Sequence, residues 1–137
     1  MRRRLVGALV TFPLAALSLS ACSAQPTPED GTATAPSYTY VLESSCGERA
    51  LLGRYAVTVD DEQVVAVEDL ALGTPVPASL MADVPTIDEL ASRLTTEAPA
   101  EVSYEAHTGL LVSVRFDGDL NAIDDEECYA ISEYSPT

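Results

Sequence analysis

Pro85-Thr86-Ile87-Asp88-Glu89-Leu90 is the stretch on which the reading of this chain turns. Thr86 stands where a helix N-cap belongs, and Glu89, three residues on, can reach back to the Thr86 amide to complete a capping box. Asp88 and Glu89 also suit the positive end of a helix dipole. Ile87, Leu90, Ala91 and Leu94 fall at i, i+3, i+4 and i+7, and Pro99 stops the helix soon after Glu97. A helix with one apolar stripe has one face to bury, so it should cover one side of a sheet.

Strand patterns lie on both sides of that helix. Upstream, Tyr38, Tyr40 and Leu42 alternate, and so do Tyr55, Val57 and Val59. Asp60-Asp61-Glu62 is a charged turn, after which the β-branched run Gln63 to Asp69 returns as a hairpin. Leu70 to Pro85, punctuated by Gly73, Pro75 and Pro77, reads as an irregular link. Downstream, Glu101 to Glu105 reads as a strand with Val102 and Tyr104 inward. Ala106-His107-Thr108-Gly109 makes a turn, and Leu110 to Phe116 returns with Val112, Val114 and Phe116 aligned. Cys128 to Tyr134 is the last strand. The order β-β-β-α-β-β-β defines an α+β domain, a largely antiparallel sheet with one helix packed on one face. It spans residues 38–137, and no internal repeat is evident.

The start of the chain has another character. Arg2-Arg3-Arg4 precede an apolar run from Leu5 to Leu19, too short to span a bilayer comfortably and typical of a signal segment. Leu19-Ser20-Ala21-Cys22 resembles the lipobox of bacterial lipoproteins, in which the peptide is cut before the cysteine and the thiol is acylated. That resemblance implies a signal peptide over residues 1–21, lipidation of Cys22, and attachment to the extracytoplasmic side of a cell membrane. Two acyl chains give stable anchoring, each buried methylene contributing about 0.8 kcal/mol. Residues 22–37, rich in Ser, Thr, Ala and Pro, read as a flexible tether on the order of 20 Å long.

Charge narrows the function. All seven basic residues are arginines, three of them before Cys22, so residues 22–137 set four arginines against 22 acids, a formal charge of −18. Such a surface repels phosphate backbones and excludes nucleic acid as a partner; it suits solubility, cations or a basic protein. Lysine is absent, which removes Schiff-base chemistry and the lysine of a phosphate loop. No nucleophile elbow or Ser/His/Asp spacing occurs, and the single histidine, His107, sits in a turn without an evident partner. The expectation is a non-catalytic binding or structural module with no resident cofactor. Its protein or cell-envelope partner is not legible.

Two constellations remain. If Cys22 is acylated, Cys46 and Cys128 are left in an oxidising compartment. They come close if the first and last strands are antiparallel neighbours, and a disulfide between them would close a long loop. Two unpaired thiols, or one linked to a partner, are the alternatives. The acidic loop 117–127 supplies the second constellation. Asp117, Asp119 and Asn121 match the first three ligand positions of a calcium loop. The match then fails, because Ala122 takes the place of the turn glycine and Cys128 that of the bidentate glutamate; Glu126 or Glu127 is the candidate substitute. Calcium binding or calcium stabilisation through this loop is the alternative function, and a solvated acidic loop is the plain one.

Three segments, in order and spacing, resemble an uncharacterised bacterial lipoprotein family, the domain-of-unknown-function family numbered six-one-seven-four. They are Tyr38-Thr39-Tyr40 through Cys46 into Tyr55–Val59; Pro85 to Leu90; and Val102–Glu105 through Gly109 to Asp117 and Asp124–Glu126. The chain departs from that pattern at Glu48, where a second cysteine would follow Cys46, and at Leu110-Leu111, in place of Tyr-Pro. The first departure makes pairing of Cys46 with Cys128 more attractive. The resemblance implies no activity.

Overall fold

The computed structural model describes residues 34–118 and 125–137. The expected signal peptide, Cys22 and most of the tether lie outside the described residues, as do Asp119 and Asn121 of the acidic loop. The described chain forms strands β1 (Tyr38–Ser44), β2 (Gly53–Asp60), β3 (Gln63–Asp69) and β4 (Thr74–Pro75). Helices α1 (Ala78–Met81) and α2 (Ile87–Arg93) follow, then β5 (Glu101–Tyr104), β6 (Leu111–Phe116) and β7 (Glu127–Pro136). The seven strands make one sheet in the order β4-β3-β2-β1-β7-β6-β5, every pair antiparallel. The expected order holds in outline. It is corrected in the Leu70–Pro85 link, which contains the two-residue β4 and the single turn α1.

The sheet is two meanders joined at their middle, where β1 pairs with both β2 and β7. One face is apolar: Tyr38, Tyr40 and Leu42 from β1, Tyr55, Val57 and Val59 from β2, and Tyr129 and Ile131 from β7 are all buried there. Both helices lie on this face, α2 through Ile87 and Leu90, α1 through Leu80 and Met81. Among the described residues no helix is long and apolar enough to cross a membrane.

Strict alternation fails at three places, each a bulge that inserts one extra residue and re-aims the side chains beyond it. On β7 the extra residue falls between Ser132 and Ser135, where Glu133 has φ 54°; it turns Tyr134 back to the core face, against the ring of Tyr38 at 5.3 Å. On β3 the register shift leaves Val65 exposed while Val64 and Val67 both face the core. On β6 it gives the core Leu111 with Val114 and Phe116, which corrects the expectation that Val112 aligns with them. Strand β5 brings a second correction. Val102 and Tyr104 are opposite Val114 and Leu111, on the core side, yet they remain 40% and 52% exposed. Among the described residues no helix reaches over this edge of the sheet.

The capping box forms as expected. The Glu89 amide donates to Thr86 Oγ1 at 3.1 Å, and the Thr86 amide donates to Glu89 Oε2 at 2.7 Å. The sheet adds a further cap, since the Ile87 amide donates to the Tyr38 hydroxyl at 3.1 Å and the Tyr40 hydroxyl donates to the Pro85 carbonyl. These bonds satisfy helix-terminal groups that burial would otherwise leave unpaired. The helix is only seven residues long, so its stripe narrows to Ile87 and Leu90, with Leu94 half-buried at the C-cap and Ala91 exposed.

The described residues before the first strand, 34–37, are also bonded to the domain. The Ala35 amide donates to the Tyr134 hydroxyl at 3.0 Å, Thr34 Oγ1 donates to Asp88, and the Pro36 carbonyl accepts from the Glu62 amide at 2.8 Å. Ser37 Oγ donates to Asp60 at 2.7 Å, and the Ser37 carbonyl accepts from the Thr137 amide at 3.0 Å.

Candidate functional site

The central β1–β7 pairing places the end of β1 beside the start of β7, and the Ser45 amide donates to the Cys128 carbonyl at 3.1 Å. One residue further on, Cys46 is joined to Cys128, with Cα atoms 5.2 Å apart. The bridge therefore ties the β1–β2 connection to β7. It brings Arg49, three residues after Cys46, against Glu127 and Tyr129, the neighbours of Cys128.

Glu127 is the hub of what forms there. Its Oε2 accepts from Arg49 Nη1 at 2.7 Å, from Arg93 Nη1 at 2.7 Å and from the Tyr129 hydroxyl at 3.0 Å. Arg49 Nη1 also donates to the Tyr129 hydroxyl, and its guanidinium lies 5.6 Å from the Tyr129 ring centroid. Arg93 comes from the last turn of α2, where a cation suits the negative end of the helix. Its Nε and Nη2 make a two-pronged bond to Glu97 at 3.1 and 3.0 Å, and its guanidinium carbon sits 4.0 Å over the Phe116 ring. Bonding to Glu97 first, and to Glu127 against the cost of burial, holds Arg93 above the usual arginine range, so it stays charged.

Beside this cluster an open groove of about 1020 Å³ runs between residues 48–51, residues 82–86 and one side of α2. Its apolar lining includes Leu42, Leu51, Tyr55, Val84 and Tyr129. Arg49 and Arg93 supply positive charge; Glu48, Glu62, Asp83, Asp88 and Glu89 supply negative charge. Burial pushes the Tyr55 phenol up, so that it stays protonated and donates to the Leu52 carbonyl at 2.9 Å. The groove offers hydrogen-bond donors and carboxylates over an apolar lining, the make-up of a recognition surface.

The other residues singled out in the sequence stand elsewhere. Asp117 and Glu126 both face Arg115, at 3.8 and 4.0 Å, so the two described carboxylates of the proposed calcium set already share a cation. Among the described residues no three His, Cys, Asp or Glu gather as a metal site. His107 is exposed in the β5–β6 turn, where its amide donates to Glu105 Oε2 at 3.1 Å, and it does not line the groove. Sequence reasoning missed the Arg49–Glu127–Arg93–Tyr129 cluster. The usable signal was scarcity: in a stretch with four arginines against 22 acids, each arginine is a candidate for a specific place, and all four make ion pairs.

Fold and site together define a small α+β domain whose antiparallel sheet carries both helices on one face and whose disulfide shapes a charged groove at one end. The chain belongs to the Family of unknown function (DUF6174), which it matches over residues 31–136. No curated protein and no solved structure matches it.

Proposed function

We propose that the protein is a membrane-anchored extracytoplasmic lipoprotein whose domain is a non-catalytic binding module working through the groove. The signal-like start, the lipobox-like Leu19-Ser20-Ala21-Cys22 and the Pro-bearing stretch after it support the anchor. The groove itself carries the binding reading: about 1020 Å³, walled by separate stretches of chain, one of them fastened by the disulfide. In this reading α2 is the packed cover of the β-β-β-α-β-β-β arrangement, and its outer side is one wall. Direction also fits. The tether leads into β1 at Tyr38, and Ser44, the last residue of that strand, stands roughly 20 Å away at strand rise, with Arg49 in the connection that follows. The arginine end of the groove then points away from the anchored end.

Photo-crosslinking in the living cell tests both halves. A photoreactive residue at Ala50 or Ala82, exposed on the groove, should give adducts of defined mass, and one at Ala66, outside the groove on β3, should not. Cys22→Ser should abolish lipid labelling and leave the precursor uncut. Equal adducts at all three positions, or none at the groove, would overturn the binding reading. Normal maturation of Cys22→Ser would overturn the anchor.

A further inference from the structure

The two edges of the sheet are finished differently. At one edge β4 is two residues long, ends in Pro75 and is followed directly by α1, and the β3 behind it carries a bulge at Val65. Short length, proline and a bulge are the devices by which proteins blunt an edge against further pairing. The other edge is blunted less, for β5, though only four residues long, contains no proline and no bulge. Strand β5 runs Glu101-Val102-Ser103-Tyr104 with every residue exposed, and among the described residues its outer side pairs with nothing. The bulge at this edge is on β6, inside, and leaves β5 itself regular.

Side chains at the open edge are apolar on one face and acidic around it. Val102 and Tyr104 continue the row of Val114 and Leu111, which are 2% and 3% exposed, so the core face runs out to this edge uncovered. A strand laid against β5 would bury those two side chains and extend the core by one row. Charge says which strand. Glu101 and Glu105 bracket the strand; Glu101 keeps its side chain 77% exposed with Arg115 of the neighbouring strand at 4.0 Å, whereas Glu97 is already held by Arg93. A second copy would bring the same acids against them within a chain of formal charge −15, and like charges across a strand pair are destabilising. An extended segment alternating apolar residues with Lys or Arg matches both the row and the charge.

We infer that β5 is a docking edge for an extended basic segment of a partner protein, added as an eighth strand. Its apolar residues pack beside Val102 and Tyr104, and its basic residues face Glu101 and Glu105. This surface is separate from the groove and does not depend on the anchor.

The test uses the domain with a blocked peptide of sequence Lys-Val-Arg-Tyr-Lys-Val-Arg-Val-Lys, and a control in which Glu replaces every base. Hydrogen exchange should slow at the amides of residues 101–104 by about tenfold or more with the basic peptide only, and added salt should weaken the effect. Val102→Lys with Tyr104→Lys changes exposed side chains and should keep the circular dichroism spectrum and melting point while losing that protection. Should the double variant fail to fold, Glu101→Lys alone should weaken binding and flatten its salt dependence. Protection confined to other strands, equal protection by the acidic peptide, or unchanged binding by a folded double variant each overturns the inference. Concentration-dependent protection of β5 without peptide overturns it in favour of a second copy.

Discussion

Replacing both bridge cysteines, Cys46→Ala with Cys128→Ala, should cost the domain most of its margin of stability. The bridge closes a loop of sequence separation 82, and the chain-entropy relation puts its effect on the unfolded state at about 4–5 kcal/mol. Little should come from lost packing, because both residues are only half-buried. For a domain of about 100 residues, with an unfolding entropy near 0.2 kcal/mol per kelvin, that corresponds to a melting point lower by roughly 20 °C. Since small domains hold about 5–15 kcal/mol in all, the variant should be folded at room temperature but close to its limit. Urea unfolding followed by circular dichroism would compare the oxidised protein, the same protein in reductant, and the double variant. The last two should coincide, because both free the same loop. A loss below about 1 kcal/mol would show that the entropic argument fails here. A double variant several kcal/mol below the reduced protein would show instead that the cysteines act through native packing.

Three further outcomes follow from the contacts. Thr86→Ala should lose about 1 kcal/mol in urea unfolding, and Glu89→Ala should add little on top, because each residue completes the other's half of the box. Burial holds the Tyr40 phenol above its ordinary 10.0, so the stability it contributes is complete below pH 10 and is lost as pH rises toward its folded value. Tyr40→Phe should accordingly flatten the alkaline limb of a stability–pH profile, and an unchanged limb would contradict the assignment. Calcium against chelator should leave the melting point of the wild-type domain unmoved, since Asp117 and Glu126 are already turned to Arg115; a rise of several degrees would favour the calcium loop.

Legibility in the sequence followed the regularity of the structure. The strands β1 and β2 and the capped start of α2 were plain, because Tyr38, Tyr40, Leu42, Tyr55, Val57 and Val59 keep a period of two and Thr86–Glu89 is a local signal. Strand β6 was misaligned because a bulge adds one residue, and no local residue type announced it: Leu111 and Val112 are equally apolar. Val102 and Tyr104 were assigned to the interior on side-chain type, yet what decides exposure at an edge is whether anything covers it. The disulfide partners could be counted, since two cysteines remained once Cys22 was set aside. The arginine cluster could not, because Arg49, Arg93 and Glu127 are distant in sequence and meet only through the β1–β7 pairing.

That pairing also dictates an order of events. The middle of the sheet is built from the first and last strands of the domain, so β1 has a partner on one side only until residues 127–136 have emerged. Until then Tyr38 lacks the ring of Tyr134, and the core face of β1 lacks Tyr129, Ile131 and the far meander. Contacts this distant in sequence form slowly, and chains waiting for them are prone to stick to one another. The domain cannot be finished before its last strand has been made. Its bridge, from Cys46 to Cys128, ties together the same two ends of the chain that close the middle of the sheet.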